Sequence, residues 1–308
     1  MDICHSLLNK SERLVFDELK RIGVDNNFNI YPKIRLCDVI DKGKTYLSNR
    51  QFDFYTRSHC DFVIADSFHK PKMVVEYDGP YHKNQEQLER DEIKNDLCRR
   101  VGLGILRIDD RHVTRHFRGM TLLRWIVEVQ ELQRIFDENQ AHGLIPFDEP
   151  FDPSMASSSI SGSVDGANRF PYWLSADHTT SIQSFMRKLD PGPPKGWGGI
   201  FGNGNKEKAG HRLSWLYFNG TVLYTKTSIR IQDLDFPHYD LLSEIDLCEL
   251  GLQLKAFQGG DVAATSPSEF RRVFLDFCEK FDAHPSYSSG RYPFHVHFDF
   301  DAGWDFSV

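Results

Sequence analysis

The sequence predicts an α/β domain with a mixed sheet flanked by helices over residues 1–145, a flexible linker over 146–168, and a smaller α+β domain over 169–308. Three observations carry this reading. Helical and strand periodicities succeed one another in the order α-β-β-β-α-β-α, which packs as a sheet between helices. The run PFDEPFDPSMASSSISGSVDGAN, Pro146 to Asn168, is rich in Ser, Pro, Gly and Asp and has almost no apolar period. The chain of 308 residues is 40% hydrophobic and 26% charged, enough apolar material for two domains.

The elements follow in order. LLNKSERLVFDELKRIG places Val15, Leu19 and Ile22 on one helical face, with Gly23 as the expected stop. FNIYPKIRLCDVI, HCDFVIAD and KMVVEYD read as three strands, the last with a β-branched centre. NQEQLERDEIKNDLCRRVG is a helix, LGILRID a fourth strand and TLLRWIVEVQELQRIF a long helix. Beyond the linker, RLSWLYFNGTVLYTKTSIRI is a hairpin turning at Asn219-Gly220, SEFRRVFLDFCEKF a helix and FHVHFDFD a closing strand. The run DPGPPKGWGGIFGNGNKEKAG lacks the GK[ST] ending of a phosphate-binding loop and is expected to be a mobile loop.

Several classes are disfavoured. The N-terminus MDICHSLLNKSERLVF has no secretory pattern and no apolar run is long enough to span a bilayer, so a cytosolic protein without membrane contact is expected. The six cysteines are scattered with no CxxC pair, which indicates neither a disulfide framework nor a zinc knuckle. The net charge of −7 argues against nonspecific coating of nucleic acid, but it is unevenly divided. Residues 1–150 carry 23 basic against 25 acidic groups, residues 151–308 carry 14 against 19, so the second half is better suited to a protein partner.

The chemistry gathers around MVVEYDGPYH. Glu76 and Asp78 are two residues apart and point to one side of an extended strand. Asp61 interrupts an apolar strand, where a carboxylate without a cation is costly. Asp61 and Glu76 are therefore candidate ligands of a divalent metal, against the plainer reading of acids solvated at strand ends. On the next helix, Lys94 falls within the apolar stripe of Ile93, Leu97, Cys98 and Val101, so it needs an anionic partner. Asp91, one turn earlier, is the structural alternative. Glu12 fits a capping box with Asn9.

These runs, LLNKSERLVFDEL, YPKIRLCDVI, CDFVIAD, VVEYDGPYH and RDEIKNDLCRRVGLGILRID, together resemble the PD-(D/E)XK nuclease superfamily. The branch they are most similar to lies near the very-short-patch-repair endonucleases, and the likeness covers roughly residues 7–110. The resemblance implies a restriction-endonuclease-like fold in which Asp61 and Glu76 bind Mg²⁺ or Mn²⁺ and Glu12 supports the site. Asp78 stands where many members carry the lysine of ExK. In some branches with ExD that lysine moves to the following helix, where Lys94 lies. His82 and Asp91 match the branch pattern, His82 as a phosphate contact, a proton relay or a loop hydrogen bond.

The expected activity is metal-dependent hydrolysis of phosphodiester bonds, most naturally in DNA, with residues 169–308 binding a partner or regulating cutting. The alternative is a nuclease fold that has lost catalysis and serves as a binding subunit. Lys33, Arg35, Arg57, Lys72, Lys83, Arg99 and Arg100 are candidate phosphate contacts, although scattered basic residues are usually solubilising. Two further patterns are weaker. His295, His297, Asp299 and Asp301 share one face of FHVHFDFD, either as a transition-metal set or as the polar side of a half-buried strand. His112 and His116 stand four apart among Arg111, Arg115 and Arg118, which suits a basic patch better than zinc.

Overall fold

In a computed structural model of the chain, the described residues are 6–78, 85–153, 172–189, 195–203, 209–230, 238–281, 283, 297–299 and 303–305. They fall into two compact units that part between Tyr172 and Trp173.

The first unit begins with α1 (Lys10–Asn26), which buries Val15, Leu19 and Ile22 completely. The expected stop at Gly23 is replaced by passage through it. A Cβ there would lie 2.9 Å from the carbonyl oxygen of Phe28, so Gly23 permits close approach, and the helix ends at Asn27 in the left-handed region. β1 (Asn29–Arg35) is shorter than expected, because Leu36 sinks into the core and the chain turns into the short helix α2 (Leu36–Val39). Next come α3 (Asn49–Arg57), β2 (His59–Ala65), β3 (Pro71–Tyr77), α4 (Gln85–Arg100) and β4 (Gly104–Ile108). The helix α5 (Arg111–Thr114) and the paired β5 (His116–Phe117) and β6 (Met120–Thr121) lead into α6 (Leu122–Ala141).

The sheet order is β1-β2-β3-β4, antiparallel except for the parallel pair β3 and β4 joined by the α4 crossover. It is a mixed sheet flanked by helices. Leu97 and Cys98 of α4 share a core with Val63, Val74 and Ile105, while Phe16 of α1 stacks on Phe62. The start of the expected linker folds back: the Gln140 side-chain amide donates to the carbonyls of Pro146 and Glu149, both at 2.8 Å. Phe151 packs edge-on against Phe136. The remainder of that linker, 154–168, lies outside the described residues. Tyr172 still belongs to the first unit, accepting from Trp125 Nε1 at 2.8 Å and donating its hydroxyl to Glu128 at 3.0 Å.

The second unit contains α7 (Ala176–Lys188), β7 (Gly196–Asn203), β8 (Ala209–Phe218), β9 (Thr221–Arg230), α8 (His238–Gly259) and α9 (Pro267–Phe281). Part of the expected mobile loop is therefore strand β7. Its glycines make this possible: a Cβ on Gly198 would meet the Trp215 indole at 2.4 Å, so the bare backbone lies over that ring. The hairpin turns at Asn219 and Gly220, both with positive φ, the type I′ pattern that Asn-Gly favours. One face of the three-stranded sheet packs on Phe270, Phe274 and Phe277 of α9, the other on Ile182 of α7 and Leu250 and Leu254 of α8. Asp246 of α8, fully buried, accepts from Thr225 and Thr227 and pairs with Arg212 at 3.3 Å. Of the expected closing strand, β10 (His297–Asp299) pairs with β11 (Gly303–Asp305). The proposed face of His295, His297, Asp299 and Asp301 lies outside the described side chains.

Candidate active site

The sheet opens at Asp61. The β1–β2 ladder passes from Pro32↔Phe62 to Ile34↔Cys60, and the β2–β3 ladder begins only at Phe62↔Val75. Side chains take the places of the missing ladder partners. The Tyr77 amide donates to Asp61 Oδ2 at 3.0 Å, and the Asp61 amide reaches Glu76 Oε1 at 3.4 Å. Asp61 and Glu76 thus lie side by side on neighbouring strands.

Each carboxylate has its own ammonium. Lys94 Nζ, buried under α4, lies 2.7 Å from Glu76 Oε2 and donates to the carbonyl of His59 at 2.8 Å. Lys33 Nζ lies 2.7 Å from both Asp61 Oδ1 and Glu12 Oε1. Glu12 makes two contacts. Its Oε2 accepts from the Asn9 amide at 3.0 Å to close the capping box, while Oε1 meets Lys33. Burial pushes the Glu76 carboxyl upward and the Lys94 ammonium opposes it. Burial alone would lower Lys33, but Asp61 and Glu12 outweigh it and the ammonium is raised.

Lys94 does not pair with Asp91, the structural alternative for it. Asp91 instead meets Arg107 of β4 at 3.3 Å, and the same guanidinium meets Asp78 at 3.3 Å. Glu76 and Arg107 are register partners on β3 and β4, so the guanidinium bridges the strand ends and the inner face of α4. Asp78 is therefore an anchor for Arg107. Arg107 was not among the residues expected at the site, although a lone arginine in the apolar strand GILRI carries the same signal as Asp61 in its own strand.

The remaining candidates are placed as follows. His82 and Lys83 lie outside the described residues. Arg35 pairs with Asp38 at 2.9 Å, and Lys72 lies 3.7 Å from Glu131 of α6. Arg57 pairs with Asp53 and Arg100 with Asp96. His112 and His116 do not share a helix, because α5 ends at Thr114. His112 is engaged with Asp109, whose carboxyl is held well below the usual range by His112 and Arg111 despite burial. Burial pushes the Cys60 thiol up, which favours the protonated form.

Among the described residues no three His, Cys, Asp or Glu side chains converge as a metal cage. Asp61 and Glu76 nevertheless fit Mg²⁺ or Mn²⁺ by donor chemistry: both are hard oxygen donors, and Mg²⁺ commonly takes only one or two carboxylates, completing its shell with water and phosphate oxygens.

Residues 4–119 match a family described as "Protein of unknown function (DUF2726)". The match spans all four strands of the first sheet and every residue of the site. A protein of Haemophilus influenzae described as "Uncharacterized protein" is 27% identical over 127 residues, 40% of this chain. The chain spans about 65% of that relative's length. No solved structure matches the chain. No helix among the described residues is long and apolar enough to cross a membrane.

Proposed function

We propose that the first unit is a metal-dependent phosphodiesterase acting on nucleic acid, with DNA the favoured substrate, in the manner of the nuclease superfamily its motifs resemble. The observation that supports this best is the buried contact between Lys94 and Glu76 at 2.7 Å, with Asp61 adjacent. A lysine from the following helix thereby reaches the strand acid, as the resemblance implies for some branches with ExD. Asp61 and Glu76 would hold Mg²⁺ or Mn²⁺, which polarises a phosphoryl oxygen and acidifies a water when bound. Lys94, fixed by Glu76 and the His59 carbonyl, presents a compact positive charge where negative charge develops on the phosphorus oxygens. Arg107 holds α4 at the strand ends through Asp78 and Asp91 and so positions Lys94. The second unit, from the acidic half of the chain, is the partner-binding part in this reading.

One observation favours a second reading. All four carboxylate oxygens of Asp61 and Glu76 already have a partner within the protein. A nuclease fold that binds nucleic acid without cutting it, as a subunit of a larger complex, would tolerate this. Incubation of the full chain with plasmid, single-stranded DNA and RNA in Mg²⁺, Mn²⁺ or EDTA decides between them. The enzyme reading expects metal-dependent cleavage that Asp61→Asn and Glu76→Gln abolish. Binding without cleavage under every condition overturns it in favour of the subunit.

A further inference from the structure

Lys33 differs from its neighbours at the site in its backbone. It lies inside a β-strand yet has φ 53, a left-handed conformation that disfavours any residue with a Cβ and that no turn or helix cap calls for here. The β1–β2 ladder skips this position, resuming at Ile34. The irregularity brings the ammonium between acids from two different elements, 2.7 Å from Glu12 Oε1 on α1 and 2.7 Å from Asp61 Oδ1 on β2. A cation bridging two carboxylates is what a divalent ion would itself do.

We propose that Lys33 is the resident counter-ion of the site, so that a divalent ion gains Asp61 Oδ1 by displacing the ammonium. This rests on the metal-binding reading above and adds a regulation of that site. The second oxygen of Asp61 is held by the Tyr77 amide, so an ion approaching the carboxylate meets the ammonium at Oδ1. Lys33 is also the partner that can leave. Its side chain is 36% exposed, whereas that of Lys94 is 9% exposed and is bonded to the His59 carbonyl as well as to Glu76. The strained backbone keeps the ammonium poised there, and its withdrawal needs only rotation of a long, flexible stem into solvent. Lys33 thus weakens the metal site and sets the ion concentration at which it fills.

Isothermal titration of the full chain with MnCl₂ and with MgCl₂, without nucleic acid, tests this. Lys33→Met and Lys33→Gly are expected to bind Mn²⁺ roughly tenfold more tightly than the wild type, the loss of a partly exposed competing ion pair. Asp61→Asn should abolish binding. Lys33→Gly accepts the left-handed backbone without strain and guards against a folding defect in Lys33→Met, and circular dichroism establishes that both are folded. Asp61-dependent binding in the wild type that is unchanged or weaker in both folded lysine variants overturns the displacement alone. No binding in the wild type and both lysine variants, or binding no tighter in any of them than in Asp61→Asn, overturns the displacement together with the metal reading.

Discussion

Glu76 and Lys94 depend on each other because both are buried. Removing the ammonium leaves a buried carboxylate without its ion-pair partner and beside the like charge of Asp61, and breaking such a pair costs about 3–5 kcal/mol. Lys94→Ala is therefore expected to lower the melting temperature as well as cleavage, and adding Glu76→Gln should restore most of the stability but none of the activity. Chemical denaturation of the single and double variants checks this. A double variant no more stable than Lys94→Ala would show that the pair carries no such energy. At this scale the acids and Lys94 were legible because a charge in an apolar strand or stripe demands a partner. The identity of the partner was not legible: Asp91, one helical turn from Lys94, is the local alternative, yet Arg107 from another strand takes it and Lys94 meets Glu76. Lys33, read from the sequence as a candidate phosphate contact, was not legible as the partner of Asp61 and Glu12, since a left-handed residue within a strand breaks the alternation from which positions are read.

Among the elements, α8 and β7 were the least legible. α8 carries apolar residues around much of its circumference with Asp246 and Ser243 among them, so no single stripe marks it as amphipathic. In β7 the glycines that suggested a loop are instead required for contact with Trp215. Gly198→Val should accordingly destabilise the second unit by about 1–3 kcal/mol through overpacking, read as a shift in its denaturation midpoint. The same unit should show a distinct dependence on pH. Glu244 of α8 keeps some contact with solvent, but burial pushes its carboxyl up to about 7, above the ordinary 4.5, against the opposing Ser175 amide. The unfolded chain ionises first, so stability is expected to fall as pH rises from 4.5 towards 7, by at most about 3 kcal/mol. Glu244→Gln should flatten that slope. An unchanged slope would assign it to other groups.

For the whole chain, composition marked the polar run 146–168 as the divide, whereas the two units part only between Tyr172 and Trp173, after the chain has returned to α6. Tyr172 is buried against Trp125 and Glu128, so a fragment of residues 1–172 should melt higher than one of residues 1–145, by the equivalent of about 1–3 kcal/mol. Equal melting temperatures would mean that the residues after α6 contribute nothing to the first unit. The docking of Tyr172 also determines where mechanical load enters. Glu128 receives the Tyr172 hydroxyl on one oxygen and the Asn26 amide, at 3.1 Å, on the other. Asn26 closes the helix whose opening turn carries Glu12, the partner of Lys33. Tension on the chain from residue 173 onward would thus be borne first by Tyr172 and Glu128, and α1 would carry it along its length to the acid at its far end.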